Sequence, residues 1–190
     1  MKANSKLSRF PNSKISPVPT YVSLIRGINV GGQLKIKMAE LKLTYEKLGY
    51  TDIRTYIQSG NVLFEGQEGI NHAARITQAI QDHFQFKVPV LVLSKKTLTR
   101  IAQENPFLQR PEIDPTHLHL TCCITAPASP PHLTSIPAAP GEEAIYQNGY
   151  IYLHLPHGYG RTKLNNNYFE RLLKTPATTR NWKTIQALCL

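Results

Sequence analysis

The fold is predicted by residues 20–64, which read TYVSLIRGINVGGQLKIKMAELKLTYEKLGYTDIRTYIQSGNVLF. Thr20–Arg26 is rich in β-forming residues and ends at Gly27, which predicts a strand that leads into a glycine-containing loop over residues 27–36. Apolar residues then recur at spacings of three and four and stop at a glycine, which predicts an amphipathic helix with a glycine cap: Met38, Leu41, Tyr45 and Leu48, before Gly49. Two short β-rich runs around Gln58-Ser59-Gly60 predict a hairpin: Ile53–Ile57 and Asn61–Phe64.

The next thirty residues complete a known arrangement. A second set of apolar residues at helical spacing predicts another helix: Ala73, Ile76, Ile80 and Phe84. The apolar run Val88–Leu93 predicts a buried strand. The resulting order, βαββαβ over residues 20–94, is that of a ferredoxin-like or α/β-plait unit, with an antiparallel sheet and both helices on one face.

The rest of the chain predicts a degenerate second copy. Residues 95–115 form a helical connector that contains prolines, and a second α/β subdomain follows over residues 116–190. Its predicted elements begin with a strand, His117–Thr125, and a proline-rich segment, Pro127–Pro140. A hairpin around Asn148-Gly149 follows over Ala144–Leu155. Two C-terminal helices complete the chain, one over about Leu164–Leu173 and one carrying Trp182. The predicted fold class is therefore α+β, with two ferredoxin-like subdomains, the second degenerate, and C-terminal helices.

The charge of the chain is concentrated at its two ends. The 190 residues have a formal net charge of +10. Residues 1–19 hold four Lys or Arg and no acid, whereas residues 159–190 hold six against one. We interpret residues 1–19 as a flexible basic tail and regard the C-terminal block as the more informative about function.

Composition also excludes several classes of protein. With 41% hydrophobic residues the chain can bury a core, which excludes collagen-like, disulfide-framework and wholly disordered proteins. Cys122, Cys123 and Cys189 are an odd number and suggest no disulfide framework, so we expect a cytoplasmic location. The longest apolar run is far too short to span a bilayer, and we expect no membrane association. The seven histidines lack the spacing and the supporting ligands of a metal site, so the sequence indicates neither a metal nor a cofactor.

Two polar motifs in the first half are candidate ligand contacts. The loop that begins at Arg26 has two glycines at P-loop spacing, but Gln33-Leu34 stands where a P-loop has Lys-Ser/Thr. A weaker hypothesis remains, in which exposed amides beside Lys35 and Lys37 hold an anion; the alternative is a tight turn with solvated basic residues. The candidate contacts here are Arg26, Asn29, Gly31 and Gly32. The hairpin tip adds Gln58, Ser59 and Asn61, which either contact a ligand or serve only the turn.

The C-terminal block supplies the other candidates. A helical wheel over residues 161–174 gives one basic and one apolar face, and residues 178–182 are predicted to start the last helix. Basic residues near a helix start suit an anion, although a solvated charged face is the commoner outcome for such a run. The candidate ligand-binding residues in this block are Arg161, Lys163, Thr179, Arg180 and Asn181.

Residues 21–64 and 160–182 closely resemble the bacterial family known as domain of unknown function 1697. The resemblance rests on the motifs RGINVGG, YIQSGNV, YLHLP, GRTKL and PATTRNW, in that order. It implies a pair of α/β-plait subdomains in one chain and brings no established activity. It also implies that the candidate residues above, together with Gly60, Leu164, Thr178 and Trp182, occupy the motif positions of the family. The basic tail and the proline-rich segment are departures from that pattern.

Three functions remain open at this stage. The first is binding of an anionic ligand, nucleic acid or nucleotide, through the glycine-rich loop and the C-terminal basic motifs. The second is an enzyme that acts on a phosphorylated or carboxylated small molecule, with Arg26, Arg161 and Arg180 as clamps. The third is a structural or interaction module. Whether the three arginines converge in one cleft is the geometric test of the first two.

Overall fold

The computed structural model describes residues 18–32, 34–131, 133 and 136–190. Most of the predicted basic tail, residues 1–17, lies outside the described residues. The architecture is α+β, as the sequence predicts, and the described residues form two four-stranded antiparallel sheets and five α-helices.

The first sheet has the predicted order of elements. They are β1 (Thr20–Ile25), α1 (Met38–Lys47), β2 (Thr51–Tyr56), β3 (Asn61–Glu65), α2 (His72–Phe84) and β4 (Val90–Ser94). The strand order is β2-β3-β1-β4, so β1 pairs with both β3 and β4. One face of this sheet packs on α1 and α2 around a core that contains Tyr45, Phe64 and Ile76.

A third helix follows β4 without a loop. This helix, α3 (Lys95–Gln103), begins directly after Ser94, whose hydroxyl oxygen accepts a hydrogen bond from the Thr97 N–H. Two short 3-10 turns, Pro106–Gln109 and Pro115–His117, then lead to the second sheet.

The second sheet repeats the strand order of the first. Its elements are β5 (Leu118–Cys123), β6 (Glu143–Gln147), β7 (Tyr150–His154), α4 (Asn166–Leu173), β8 (Ala177–Asn181) and α5 (Trp182–Cys189), and the order across the sheet is β6-β7-β5-β8. No helix lies between β5 and β6 in the described residues of that segment, which is the proline-rich one. The predicted Asn148-Gly149 turn is confirmed, since both residues have positive φ and Gln147 pairs with Tyr150.

Strand β8 corrects one prediction. Residues 178–181 were expected to start the last helix, but they are extended and pair with β5. The helix begins only at Trp182, with Asn181 as its N-cap. The strand was missed because Thr178 and Arg180, which are buried, are polar and give no apolar alternation in the sequence.

A shared core joins the two sheets. It contains Val22 and Leu24 of the first sheet, Leu118 and Leu120 of the second, and apolar residues of α3 and α5, including Trp182. Helices α3 and α5 pack against each other. Each sheet therefore has buried side chains on both faces. The division of the chain at residues 94 and 115 stays a prediction.

Candidate functional site

The sequence motifs separate into two places in the structure. The first is the junction, where Arg26, Ser59 and Asn61 of the first half meet Glu170 and Arg180 of the second. The second is the loop cleft, a cavity of 790 Å³ between the glycine-rich loop, the start of α1 and the β2–β3 hairpin tip. They differ in burial and in what their polar atoms contact.

Arg180 is the central residue of the junction. It projects from β8 and is only 9% exposed, although it carries a full guanidinium group. Its Nε donates to Asn61 Oδ1 at 2.6 Å, and its Nη2 donates to the carbonyls of Ile25 at 2.9 Å and Ser59 at 3.1 Å. Its Nη1 donates to Thr178 Oγ1 at 2.6 Å and to the Thr179 carbonyl at 3.0 Å. All five N–H groups of the guanidinium therefore have an acceptor.

The acceptors around Arg180 are all neutral. Burial is accordingly the main effect on this side chain, and it lowers the pKa of Arg180 to about 10. A guanidinium that is buried and fully bonded to backbone and amide oxygens is not free to bind a ligand. Its position indicates a role in fixing one half of the protein against the other.

Arg26 makes the second link across the junction. Its Nε and Nη2 donate to the two carboxylate oxygens of Glu170 on α4, the latter at 2.6 Å, and its Nε also donates to the Ala177 carbonyl at 3.1 Å. The side chains of Arg26 and Glu170 are 27% and 21% exposed, which places the pair at the edge of the core. Glu170 also accepts from the Ala177 N–H at 2.8 Å and so fixes the start of β8.

The hairpin tip is shaped to receive Arg180. Asn61 donates from Nδ2 to the Tyr56 carbonyl at 3.1 Å and to Ser59 Oγ at 3.0 Å, which turns its Oδ1 toward the arginine. Between them Gly60 has φ of +77°, and a Cβ at this position would lie 2.9 Å from the Cβ and the carbonyl oxygen of Ile25. Only glycine therefore fits the tip against β1.

The other C-terminal candidates do not face the junction. The Thr179 hydroxyl points to the opposite face of β8, where it is bonded to Thr121 Oγ1 at 2.7 Å and to Asn166 Oδ1 at 2.7 Å. Asn181 accepts from the Thr184 N–H and caps α5. Arg161 and Lys163 are exposed in the loop before α4, on either side of a buried Thr162 that donates to Glu142.

The loop cleft collects the remaining candidates. Asn29 and Gln58 line it, together with Gly32, Lys35, Lys37 and Glu40. Asn29 holds the loop closed, because its Nδ2 donates to the carbonyls of Ile36 at 2.9 Å and Gln58 at 2.8 Å, while its Oδ1 accepts from the Ile36 N–H. The loop backbone has positive φ at Gly27, Asn29, Gly31, Gly32 and Leu34.

The charged groups of the loop cleft are exposed, unlike those of the junction. Lys37 is the N-cap residue of α1 and makes no side-chain bond to the first turn. Its Nζ lies 3.4 Å from Glu40 Oε1, with the lysine side chain 84% exposed. The first N–H groups of an α-helix have no partner within the helix, so the start of α1 presents donors at the cleft.

The structure thus brings together two subsets of the predicted site residues. It does not bring Arg26, Arg161 and Arg180 together as a clamp, because Arg26 and Arg180 donate within the junction whereas Arg161 is exposed in the loop before α4. Asn29, Gly32 and Gln58 line the loop cleft with Gly31 beside them, and Arg26, Ser59, Asn61 and Arg180 meet at the junction. Sequence reasoning did not find Glu170, because a single acid on a predicted helix has no pattern that indicates a partner 144 residues away.

Two kinds of feature are absent from the described residues. Within residues 18–32, 34–131, 133 and 136–190, no group of three or more His, Cys, Asp or Glu is placed to hold a metal ion. In the same part of the chain, none of the helices has the length and apolar character needed to cross a membrane.

Comparison with known proteins gives a family but no activity. A solved structure, that of the conserved bacterial protein SP0830 from Streptococcus pneumoniae, is similar with a TM-score of 0.58 at 20% sequence identity, over 90% of this chain and 97% of that one. At this identity the likeness shows the fold alone. The search of curated proteins gave no significant match. The model of the family described as "Protein of unknown function (DUF1697)" matches residues 18–152, which include both N-terminal motifs and end before the two C-terminal ones. Since this match covers well over half of the sequence, the chain belongs to the DUF1697 family.

Proposed function

We propose that the protein binds an anionic, phosphate-bearing ligand in the loop cleft, and that this ligand is a nucleotide rather than a nucleic acid strand. The observation that carries the proposal is the meeting of three features in one cavity. These are the start of α1 without a side-chain cap, the lysines Lys35 and Lys37, and the glycine-rich loop. Backbone N–H groups and ammonium groups attract the same oxyanion.

The loop geometry supports close approach of a ligand. Gly31 and Gly32 have positive φ, and a Cβ at either position would meet no atom within 4 Å, so the backbone there is open on its outer side. Asn29 ties the loop to the hairpin tip, which keeps the cleft preformed. A preformed site reduces the ordering cost of binding.

Size and surroundings favour a nucleotide over a strand of nucleic acid. A volume of 790 Å³ lies within the range of small-molecule sites. Proteins that bind single strands usually stack bases on exposed aromatic side chains, in plait-like domains on an open sheet face. Here Tyr152 of the second sheet is buried, with its hydroxyl donating to the Ile101 carbonyl at 2.9 Å, and both sheets pack into the shared core.

The proposed site keeps only some of the candidate residues that the sequence suggested. Asn29, Gly31, Gly32 and Gln58 are retained, with Lys35 and Lys37 as the cationic groups. Arg26 and Arg180 are assigned to the junction, because their donors are used by Glu170 and by buried oxygens. Arg161 and Lys163 are exposed in the loop before α4 and do not line the loop cleft, so they are not assigned to the proposed site.

A binding titration tests the proposal. Fluorescent adenine and guanine nucleotides are titrated into the full chain at low salt, beside short single-stranded and duplex oligonucleotides. We expect saturable nucleotide binding, which the variant Lys35→Glu/Lys37→Glu weakens by at least about tenfold, because each charge-assisted contact contributes about 1.5–3 kcal/mol.

A matched control separates the site from general charge. The variant Lys87→Glu/Lys183→Glu changes the net charge equally at exposed positions that do not line the loop cleft, and it should bind as the wild type does. Absence of nucleotide binding at low salt would refute the proposal. Tight binding of oligonucleotides with a steep salt dependence, and none of nucleotides, would replace it with nucleic acid binding.

A further inference from the structure

A second cavity lies at the far end of strand β1. This α3 cleft has a volume of 800 Å³ and runs between the start of β1 and the outer surface of α3. Pro19 and Tyr21 line one side, and the other side is formed by α3 from Lys95 to Gln103. Because β1 has six residues and a strand rises about 3.3 Å per residue, the α3 cleft and the loop cleft lie on the order of 20 Å apart.

The wall of the α3 cleft combines apolar surface with positive charge. Lys96 and Arg100 are four residues apart and lie on one face of α3, beside Lys95 and Thr99. The aliphatic stems of such side chains cover apolar surface while their charged ends stay at the rim. With Pro19 and the start of β1 opposite, the interior is mainly apolar and the rim is cationic, although the Tyr21 ring itself packs on the other face of β1, against Phe64 and His72.

The positive charge of the rim is only partly compensated. Arg100 Nη1 lies 3.3 Å from Glu104 Oε1 on the next turn, and Lys95 Nζ donates to the Leu190 carbonyl at 2.6 Å. Glu68 is the acidic residue among the described residues that line the cleft, and Lys96 is exposed. Lys96 and Arg100 carry the same charge at this helical spacing and do not neutralise each other, so the rim keeps a net positive charge.

We infer that the α3 cleft binds an organic anion that has an apolar body, such as an aromatic or acyl carboxylate. The apolar walls take the body, and the ends of Lys96 and Arg100 pair with the carboxylate at the rim. Small-molecule sites typically combine apolar walls with a few placed polar groups in this way. The site is separate from the loop cleft and does not rest on the function proposed above.

The test uses two probes of this chemistry on the full chain. Anilinonaphthalene sulfonate, an aromatic anion that fluoresces in apolar surroundings, is titrated first and then displaced with decanoate or with decanol. We expect decanoate to displace the dye and decanol to be much weaker, because decanol lacks the charge. Equal displacement by the neutral alcohol would overturn the inference.

Variants locate the binding. The variant Lys96→Glu/Arg100→Glu should weaken binding of the dye at least about tenfold, which is the loss of affinity expected for one charge-assisted contact. The control Lys87→Glu/Lys183→Glu, which has the same change in net charge, should bind the dye as the wild type does. A change below about twofold in the first variant would contradict the assignment. Amide hydrogen exchange of the wild type is a second measurement that needs no variant to fold. Decanoate should slow exchange in α3, Lys95–Gln103, more than in α1, Met38–Lys47. Equal protection of the two helices would refute the site.

Discussion

Replacement of Arg180 by methionine tests whether the junction holds the two halves of the protein together. Methionine keeps an unbranched side chain in the space but donates no hydrogen bond. Three acceptors across the junction then lose their donor, namely Asn61 Oδ1 and the carbonyls of Ile25 and Ser59. A buried acceptor left without a partner costs about 1–3 kcal/mol, so the three together cost about 6 kcal/mol.

An opposing effect reduces this loss. Burial lowers the pKa of Arg180 to about 10, well below the ordinary value of an arginine, and this penalty on the buried cation corresponds to about 3 kcal/mol, which its removal recovers. We therefore expect Arg180→Met to lower the free energy of unfolding by about 3 kcal/mol. Arg180→Met would stabilise the protein only if the desolvation cost of the buried cation exceeded the contribution of its five hydrogen bonds.

Urea unfolding followed by tryptophan fluorescence measures the effect. Trp182 is the single tryptophan, is 2% exposed and lies in the shared core, so its emission reports separation of the two halves. With a urea dependence of about 2 kcal/mol/M, the midpoint should fall by about 1.5 M. The control Arg54→Met removes an exposed arginine, paired at 3.2 Å with Asp52, and should change stability by less than about 0.5 kcal/mol. A midpoint for Arg180→Met equal to or above that of the wild type would show that the reasoning about the junction is wrong.

Two further predictions concern the hairpin tip and the histidines. Gly60→Ala should lower the free energy of unfolding in urea by about 2–4 kcal/mol, because the added Cβ would lie 2.9 Å from Ile25 at a positive φ. The control Gly149→Ala also has a positive φ but open space around it, and it should lower the free energy of unfolding by about 1 kcal/mol. Equal losses of stability in the two variants would contradict the packing argument. Stability should be flat between about pH 7 and 8 and fall as the pH drops below about 6.5, because burial lowers the pKa of three histidines in the folded state and the unfolded chain then binds the protons first. These residues are His72, His119 and His154. Melting temperatures measured across this range check the sign, and a rise in stability on acidification would refute it.

Local patterns predicted much of the fold. Apolar spacings gave both helices of the first half, and Asn148-Gly149 located the second hairpin, because helix and turn preferences act over a few neighbouring residues. Strand β8 was not found, since its buried positions are filled by Thr178 and Arg180 instead of apolar residues. Its extended conformation depends on pairing with β5, more than fifty residues earlier in the chain.

The motifs themselves were visible in the sequence, but their roles were not. The glycine-rich loop, the hairpin tip and the C-terminal block were all candidates for anion contact. The sequence could not separate them, because a basic residue in a motif gives no indication of what surrounds it in the fold. Arg26 and Arg180 find their partners 144 and 119 residues away, on elements that meet only when both sheets have formed. The sequence by itself determined the elements and the type of each polar group. The tertiary structure decided which cations are buried in the junction and which remain exposed at a cleft, because burial and hydrogen bonding depend on contacts between distant parts of the chain.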